Sequence, residues 1–198
     1  RPSLALTTSD LLRTADAIIT QTPSLKALTW FAVDDGAETD AERWTAPPAK
    51  RDGLAFLQYT SGSTSTPRGV MLSHGNLLHN LSQIHRAFEH GEETRVVSWL
   101  PPYHDMGLIG GLLQPLFGGY PAVLLSPLAF LQRPRRWLEV IASERATTSG
   151  GPNFAYDLCV EKIPPAERAG LDLSCWEIAF NGAEPIRAAT IEAFVHAF

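Results

Sequence analysis

The densest group of side chains with chemical potential lies in residues 59–69, which read YTSGSTSTPRG. Hydroxyl groups and the backbone amides beside glycines can surround phosphate oxygens, and Arg68 can add a forked, charge-assisted contact. A flexible Ser/Thr linker has a similar composition. However, Pro67 and Gly69 restrict the exit turn, and short apolar runs flank the segment on both sides. The segment therefore predicts a phosphate-binding loop.

This loop belongs to neither of the two best-known classes of nucleotide-binding loop. It lacks the pattern G-x-x-x-x-G-K-S/T running into a helix, and no G-x-G-x-x-G follows an apolar run anywhere in the chain. The sequence therefore argues against a Walker-type NTPase and against a dinucleotide-binding protein.

A second polar group lies in residues 98–108, with the sequence SWLPPYHDMGL. A neutral imidazole at His104 can orient an oxygen of a bound ligand, which makes this residue a candidate catalytic group. The alternative is a structural histidine bonded to a nearby carbonyl. Asp105 is interpreted as a helix cap ahead of Gly107 rather than as a catalytic carboxylate.

The third group is NGAEP at residues 181–185, between an apolar run and an amphipathic segment. Open α/β sheets bind ligands at such strand-to-helix connections. The alternative is an ordinary turn, with Glu184 stabilised by the dipole of the following helix.

Composition excludes several classes of protein. The chain has 198 residues, of which 44% are hydrophobic and 19% charged, so it forms one domain or part of a larger one rather than a disordered tail. The 16 Lys and Arg against 21 Asp and Glu argue against nucleic-acid binding, because phosphate backbones require concentrated positive charge. Cys159 and Cys175 have no neighbours at metal-ligand spacing, which indicates reduced thiols in a cytoplasmic protein.

Residues 106–132 contain no charge, and a hydropathy profile would mark them as apolar. Several prolines and glycines interrupt this run, among them Pro115, Pro121 and Gly118. A membrane-spanning helix needs an unbroken ladder of internal hydrogen bonds. We therefore expect no membrane span here, but a buried, interrupted segment that lines a core or an apolar cavity.

The periodicity of apolar residues predicts alternating strands and helices. This alternation indicates an α/β fold with mostly parallel sheets flanked by helices. Residues 1–52 are interpreted as the end of one α/β subdomain with a polar linker over 34–52, and residues 53–198 as a second subdomain. Strands are expected at 4–8, 27–33, 54–59, 70–72, 96–100, 122–126, 146–149 and 176–180. Helices are expected at 10–20 with Ser9 as cap, after Ser73, and at 134–144, 153–163 and 187–198. Their apolar spacing predicts three inward faces: Leu77, Leu81, Ile84 and Phe88 in the helix after Ser73, Trp137, Leu138 and Ile141 in 134–144, and Ile191, Phe194, Val195 and Phe198 in 187–198.

The 59–69 loop closely resembles the phosphate-binding loop of adenylate-forming enzymes, the superfamily of acyl-CoA synthetases, luciferases and peptide-synthetase adenylation domains. The sequence of residues 98–108 resembles the corresponding motif of the fatty acyl-AMP ligase branch of that superfamily. Residues 130–134 (FLQRP), 149–156 (SGGPNFAY) and 181–186 (NGAEPI) are similar to the same branch in order and spacing. The resemblance covers essentially the whole chain, and it implies part of the large N-terminal domain of such an enzyme.

The resemblance implies ATP-dependent activation of a fatty acid to an acyl-adenylate, which then passes to the phosphopantetheine arm of an acyl carrier protein. It places His104 where the carboxylate meets the α-phosphate. The ATP-binding residues that it implies are Thr60, Ser61, Gly62, Ser63, Thr64, Arg68, Gly182, Ala183 and Glu184. Together with the uncharged run, it suggests an acyl cavity that includes Gly111, Gly151, Asn153 and Phe154. Relatives often have Lys where this chain has Arg68, whose contact geometry differs.

The resemblance also implies parts that lie beyond Phe198: a glutamate motif that helps to hold Mg²⁺, a ribose-binding aspartate, and a C-terminal lid with its lysine. No metal ligand is therefore expected within the 198 residues, which alone should not catalyse adenylation well. Two other functions remain open from the sequence. One is a fatty acyl-CoA ligase, and the other is a non-catalytic module that binds a nucleotide or an acyl chain.

Overall fold

A computed structural model describes residues 2–35, 44–60 and 67–198. The chain divides into two compact units, Arg1–Pro48 and Ala49–Phe198. Most of the expected phosphate loop, including Ser61, Gly62, Ser63 and Thr64, lies outside the described residues. Strands and helices alternate as predicted, so the α/β fold class is confirmed.

The first unit is a small β-α-β arrangement whose two strands pair in parallel. Its elements are β1 (Leu4–Thr7), α1 (Ser9–Gln21), α2 (Pro23–Lys26), β2 (Thr29–Ala32) and a 3₁₀ turn (Val33–Asp35). The predicted cap of α1 was wrong by one residue. Thr8, not Ser9, has the extended backbone that a cap needs, and its side chain accepts a hydrogen bond from the amide of Leu11.

The second unit begins with an antiparallel hairpin of β3 (Leu54–Thr60) and β4 (Arg68–Ser73). Thr60 pairs with Arg68 across the hairpin. The two ends of the expected phosphate loop are therefore brought together, as the flanking apolar runs predict.

Helix α3 (His74–Ala87) follows the hairpin directly. Ser73 caps it as predicted, and a capping box with Asn76 adds a second hydrogen bond at the helix start. The expected apolar face of Leu77, Leu81, Ile84 and Phe88 points inward, with each side chain buried or half-buried.

A four-stranded parallel sheet forms the centre of this unit. Its strands are β5 (Val96–Ser98), β6 (Ala122–Leu124), β7 (Thr148–Gly151) and β8 (Ile178–Asn181), in the spatial order β6-β5-β7-β8. The chain thus runs from β5 to β6 on one side and then crosses to β7 on the other. Such a reversal of strand order opens a crevice at the carboxyl ends of the strands, where α/β proteins bind ligands.

The connections between these strands are mostly helical. They comprise a π-helix (Met106–Leu113), α4 (Gln114–Gly118), α5 (Pro127–Gln132), α6 (Arg135–Glu144), α7 (Asn153–Lys162), α8 (Pro165–Arg168) and α9 (Ala188–Ala197). The uncharged run 106–132 is therefore broken into short elements, as predicted. Within the described ranges no helix is both long and apolar enough to cross a bilayer.

Aromatic side chains hold the helices on the sheet. Trp137 is fully buried on α6 and contacts Trp99, Phe130 and Tyr156 edge to face. Its indole N–H donates to Ser149 Oγ at 2.8 Å, and that hydroxyl donates to the carbonyl of Val97 at 2.6 Å. This chain of bonds joins α6, β7 and β5 without leaving a polar group unpaired. The predicted inward positions of α6, which also include Leu138 and Ile141, are confirmed.

The predicted inner face of α9 needs one correction. Phe194 is buried, but Val195 is 72% exposed. Thr190 is buried as well, because its hydroxyl donates to Asp157 Oδ1 on α7 at 2.8 Å. This bond turns α9 so that Thr190 and Phe194, four residues apart, face the core.

Both cysteines are buried free thiols, as expected. Burial raises the pKa of Cys159 to about 12. A thiol in this environment stays protonated and is unreactive.

Candidate active site

The hairpin of β3 and β4 lies beside the loop that carries His104. Gln58 Nε2, two residues before Thr60, donates to the carbonyl of Tyr103 at 3.5 Å. Thr60 and Arg68 are exposed at the open end of this hairpin. The ends of the expected phosphate loop and the expected catalytic histidine therefore belong to neighbouring segments.

His104 lies in the connection between β5 and the π-helix. Its Nδ1 is 2.7 Å from Asp105 Oδ1, and the side chain is more than half exposed. Asp105 Oδ1 also accepts a hydrogen bond from the amide of Met106 at 2.8 Å, which confirms its predicted role as a helix cap. His104 Nδ1 also lies 3.4 Å from the backbone amide of Met106, so the ring is held on its Nδ1 side and its Nε2 side remains free of these contacts.

The NGAEP segment follows β8 at the same edge of the sheet. Ala183 has a φ of +70°, in the left-handed region that residues with a Cβ atom rarely adopt. Such strain persists only where the surroundings enforce it, and it is common at ligand sites. A Cβ atom on the preceding Gly182 would lie 3.9 Å from Met106 Sδ. The segment therefore adjoins the start of the π-helix, next to His104.

Asn153 is the residue that holds this strained segment. Its side-chain Oδ1 accepts from Asn181 Nδ2 and from the amide of Arg187, both at 3.0 Å. Its Nδ2 donates to the carbonyl of Pro185 at 2.9 Å, and its backbone amide donates to Glu184 Oε1 at 3.0 Å. Asn153 is fully buried, so the four bonds form away from water. The side chain bridges the two ends of the turn at 181–187.

An apolar cavity of about 260 Å³ lies between α3, the sheet and the π-helix. It lies against one face of the sheet, because β5, β7 and β8 all contribute to its wall. The cavity is lined by Asn80, Ile84, Phe88, His90, Val96, Val97, Ser98, Asp105, Met106, Ile109, Gly110, Gly111, Gln114, Thr148 and Phe180. Asp105 and Met106 lie in its wall next to His104, so one part of the cavity adjoins the candidate catalytic residue.

Only one of the four expected acyl-site residues lines this cavity. Gly111 does so, whereas Gly151, Asn153 and Phe154 do not. Gly151 packs on Trp99, whose ring would lie 2.7 Å from an added Cβ atom, and the ring of Phe154 contacts the other side of Trp99. Asn153 is occupied by the turn at 181–187. Gly151 and Phe154 therefore border the core, and Asn153 borders the turn at 181–187.

Sequence reasoning missed the polar part of the cavity wall. His90 Nδ1 lies 2.8 Å from the Tyr120 hydroxyl, and its Nε2 lies 3.3 Å from Thr148 Oγ1. Burial, with a smaller contribution from His85, lowers the pKa of His90, so its ring is neutral near pH 7. Gln114 is also buried here. An amide in the middle of an uncharged run was the signal that could have drawn attention to it.

The described residues contain no group of three or more His, Cys, Asp or Glu side chains that could hold a metal ion.

Residues 3–198 match the family model described as AMP-binding enzyme. The chain belongs to this family, and the assignment made from its motifs is confirmed. The fold agrees as well. A fatty acyl-adenylate ligase from L. pneumophila, solved with acyl adenylate and pyrophosphate, superposes over the whole chain with a TM-score of 0.91 and 46% identity.

Two curated relatives have similar names. The chain is 51% identical over 164 residues to the medium-chain-fatty-acid acyl-carrier-protein ligase TtuA of Teredinibacter turnerae, and 47% identical over 173 residues to JamA of Moorena producens, a ligase of the same description. These matches cover 80% and 87% of this chain, but only 26% and 29% of the relatives. The chain likewise covers 34% of the L. pneumophila ligase. It thus spans about a quarter to a third of the proteins that it resembles.

Replacing Asn153 by Ala should loosen the turn at 181–187 while leaving the sheet intact. The substitution leaves buried partners unpaired, at a cost of about 1–3 kcal/mol. In hydrogen-exchange mass spectrometry we expect exchange in residues 181–187 to accelerate by roughly 5- to 150-fold, the factor that this free energy corresponds to.

Gln83→Ala, which removes an exposed amide from α3, serves as the control and should change nothing in this turn. Equal exchange rates in the Asn153→Ala variant and the wild type would show that the side chain does not hold the turn.

Proposed function

We propose that the protein activates a fatty acid with ATP to give an acyl-adenylate, and transfers the acyl group to the phosphopantetheine thiol of an acyl carrier protein. One observation carries this proposal: an apolar cavity adjoins His104 at the edge of the sheet where the strained turn at 181–187 also lies. A fatty acid needs an apolar cavity for its chain and a polar group for its carboxylate. A nucleotide needs a binding segment next to both. The names of the relatives support the same chemistry.

In this proposal each part of the site binds one part of the substrates. The chain of the fatty acid occupies the cavity, and its carboxylate lies near the imidazole of His104, which can donate a hydrogen bond to it. Glu184, Gly182 and Ala183 contact the adenosine, and Arg68 contacts the outer phosphates together with Thr60 and the residues Ser61, Gly62, Ser63 and Thr64. The contribution of the protein is to align the reacting atoms and to balance the charge of the leaving group.

The bond changes in the two steps are balanced. A carboxylate oxygen attacks the α-phosphorus, and the bond from that phosphorus to the bridging oxygen breaks. Pyrophosphate leaves with the electron pair. In the second step the thiolate sulfur attacks the acyl carbonyl, and AMP leaves with the electrons of the mixed anhydride bond. The thiol proton passes to solvent.

Mg²⁺ accompanies ATP in this proposal, and when bound it would neutralise phosphate charge. We also propose a cytoplasmic location, because ATP and holo carrier proteins are found there and both cysteines are free thiols.

The role of Arg68 is tested by Arg68→Ala in the full-length protein. Loss of a charged hydrogen bond to phosphate should lower kcat/KM for ATP by about 1–3 kcal/mol, or roughly 5- to 150-fold. Fatty-acid-dependent exchange between pyrophosphate and ATP measures this effect. Arg86→Ala removes an exposed arginine from α3 and should leave the exchange rate unchanged. An exchange rate in Arg68→Ala equal to that of the wild type argues against the phosphate site.

The acceptor is tested by competition. Full-length protein with ATP, Mg²⁺ and a fatty acid is offered a holo carrier protein and coenzyme A at equal concentration. We expect acylation of the carrier protein to predominate, because the motifs and relatives belong to the acyl-AMP ligase branch. Predominant formation of acyl-CoA would assign the protein to the fatty acyl-CoA ligases. Nucleotide binding without any adenylate would indicate a non-catalytic binding module.

The acyl cavity is tested at Gly110 rather than at Gly111. A Cβ atom on Gly111 would lie 2.7 Å from Ser98 Oγ, whereas one on Gly110 meets no atom within 4 Å. Gly110→Leu should therefore fill the cavity without disturbing its wall, and should shift the preference to shorter acids. Each displaced CH₂ group should cost about 0.8 kcal/mol, roughly fourfold in kcat/KM.

The control is Gly91→Leu, at a glycine that also has open space around it but does not line the cavity. It should leave the chain-length profile unchanged. The same profile in Gly110→Leu and in the wild type would place the acyl chain elsewhere.

A further inference from the structure

The amide of Gln114 is an unpaired group in the polar part of the cavity wall, which it shares with His90 and Thr148. The side chain is 1% exposed and lies in the cavity wall. Neither Oε1 nor Nε2 has a hydrogen-bond partner within the described residues. Buried amides without partners are rare, because each loses its bonds to water without replacement.

The backbone of Gln114 is held at the end of the π-helix. The π-helix ends at Gln114, whose backbone N–H donates to the carbonyl of Ile109, five residues earlier. Wide turns of this kind occur mostly at functional sites. The residue before Gln114 is Leu113 and the next is Pro115, so its own segment offers no polar side chain nearby.

The neighbouring polar groups of the cavity are already bonded. Both ring nitrogens of His90 are occupied, one by the hydroxyl of Tyr120 and the other by that of Thr148. Gln114 is near enough to the Tyr120 hydroxyl for a weak side-chain hydrogen bond, which opposes the rise that burial causes in the pKa of that phenol. This contact does not reach full hydrogen-bond geometry, so neither amide atom has a well-formed bond. Apart from this weak contact, the amide of Gln114 is available to a ligand.

We propose that Gln114 recognises a hydroxyl group on the acyl chain, so that the preferred substrate is a hydroxylated rather than a plain fatty acid. This inference rests on the proposed function, because it assumes that the cavity takes the acyl chain. A hydroxyl can accept from Nε2 or donate to Oε1. A keto oxygen can only accept, and a saturated chain satisfies neither atom. The expected order of preference is hydroxy, then keto, then saturated acid.

The place of the hydroxyl along the chain follows from the π-helix. The helix begins beside His104, where the carboxylate lies in the proposal, and Gln114 follows its last residue. Gln114 lies eight positions after Met106 in the sequence. At the rise per residue of an α-helix, this separation corresponds to at most about 12 Å along the helix axis. The hydroxyl is therefore expected in the middle part of a chain of medium length, not beside the carboxylate.

The first experiment needs no variant. The full-length protein is offered acids of one chain length with a hydroxyl at successive carbons, and the adenylate is measured as pyrophosphate release. We expect kcat/KM to peak at one mid-chain position, roughly 3- to 10-fold above the saturated acid, as one buried hydrogen bond provides. A flat profile, or a saturated acid as the best substrate, overturns the inference.

The second experiment assigns the preference to Gln114. Gln114→Met has a similar volume and no hydrogen-bonding amide, so it should abolish the peak in the position profile. Gln83→Ala, an exposed amide on α3, should keep the peak. A peak that persists in Gln114→Met overturns the role of this residue.

Binding measurements separate this inference from the proposed function. The Tm shift that each acid induces is recorded without ATP, in the wild type and in Gln114→Met. If no acid is adenylated, the proposed function fails, yet a larger shift with the mid-chain hydroxy acid that is lost in Gln114→Met still supports recognition by Gln114. If adenylation occurs and neither rates nor shifts distinguish the acids, only the inference fails. Should Gln114→Met not fold, the position scan with wild-type protein decides alone.

Discussion

The site depends on one constraint of the parallel sheet: all four strands end at the same edge. The contact between β5 and β7 is where the strand order reverses, and only there can a ligand pass between the connections that leave the sheet. The bonds from Trp137 to Ser149 and from Ser149 to Val97 hold this contact. Because these groups are buried and fully paired, the edge is a rigid base for the flexible parts of a substrate.

Each segment at this edge of the sheet is held in place by its own local hydrogen bonds. The loop after β5 is terminated by the capping carboxylate of Asp105, which also contacts His104. The turn after β8 holds Ala183 in a left-handed conformation that costs on the order of 1 kcal/mol. Four hydrogen bonds to the buried Asn153 offset that cost. A strained turn fixed in this way keeps its backbone groups in position before a ligand arrives, which reduces the free energy lost on binding.

The cavity combines two kinds of wall with different consequences for binding. In the proposed function, apolar side chains of α3, β5 and the π-helix would bind an alkyl chain in proportion to the area that is buried. The amide of Gln114 adds a directional requirement, because an unpaired buried polar group disfavours a chain that cannot bond to it. In the proposed function the apolar side chains supply affinity for the acyl chain, and the amide of Gln114 is suited to discrimination between acids of equal length.

Patterns that depend on neighbours in the chain were predictable from the sequence. Alternating strands and helices, the Ser73 cap, the inward face of α6 and the interrupted uncharged run all follow from local periodicity and turn chemistry. The hydroxyl-rich loop, His104 and the NGAEP segment were recognisable because their residue types and order carry the resemblance to one family. These motifs are sufficient by themselves to assign the family.

Contacts between distant parts of the chain were not predictable in this way. Asn153 was expected at the acyl cavity, but tertiary packing directs its amide to residues 181–187, about 30 positions away. The apolar face of α3 was evident from its spacing, yet the same spacing describes a side chain in a core and one in the wall of a cavity. Ile84 lines the cavity, whereas Leu81 is buried. Which polar group stays unpaired, as at Gln114, depends on all the atoms around it in space, and a pattern along the chain contains no information about them.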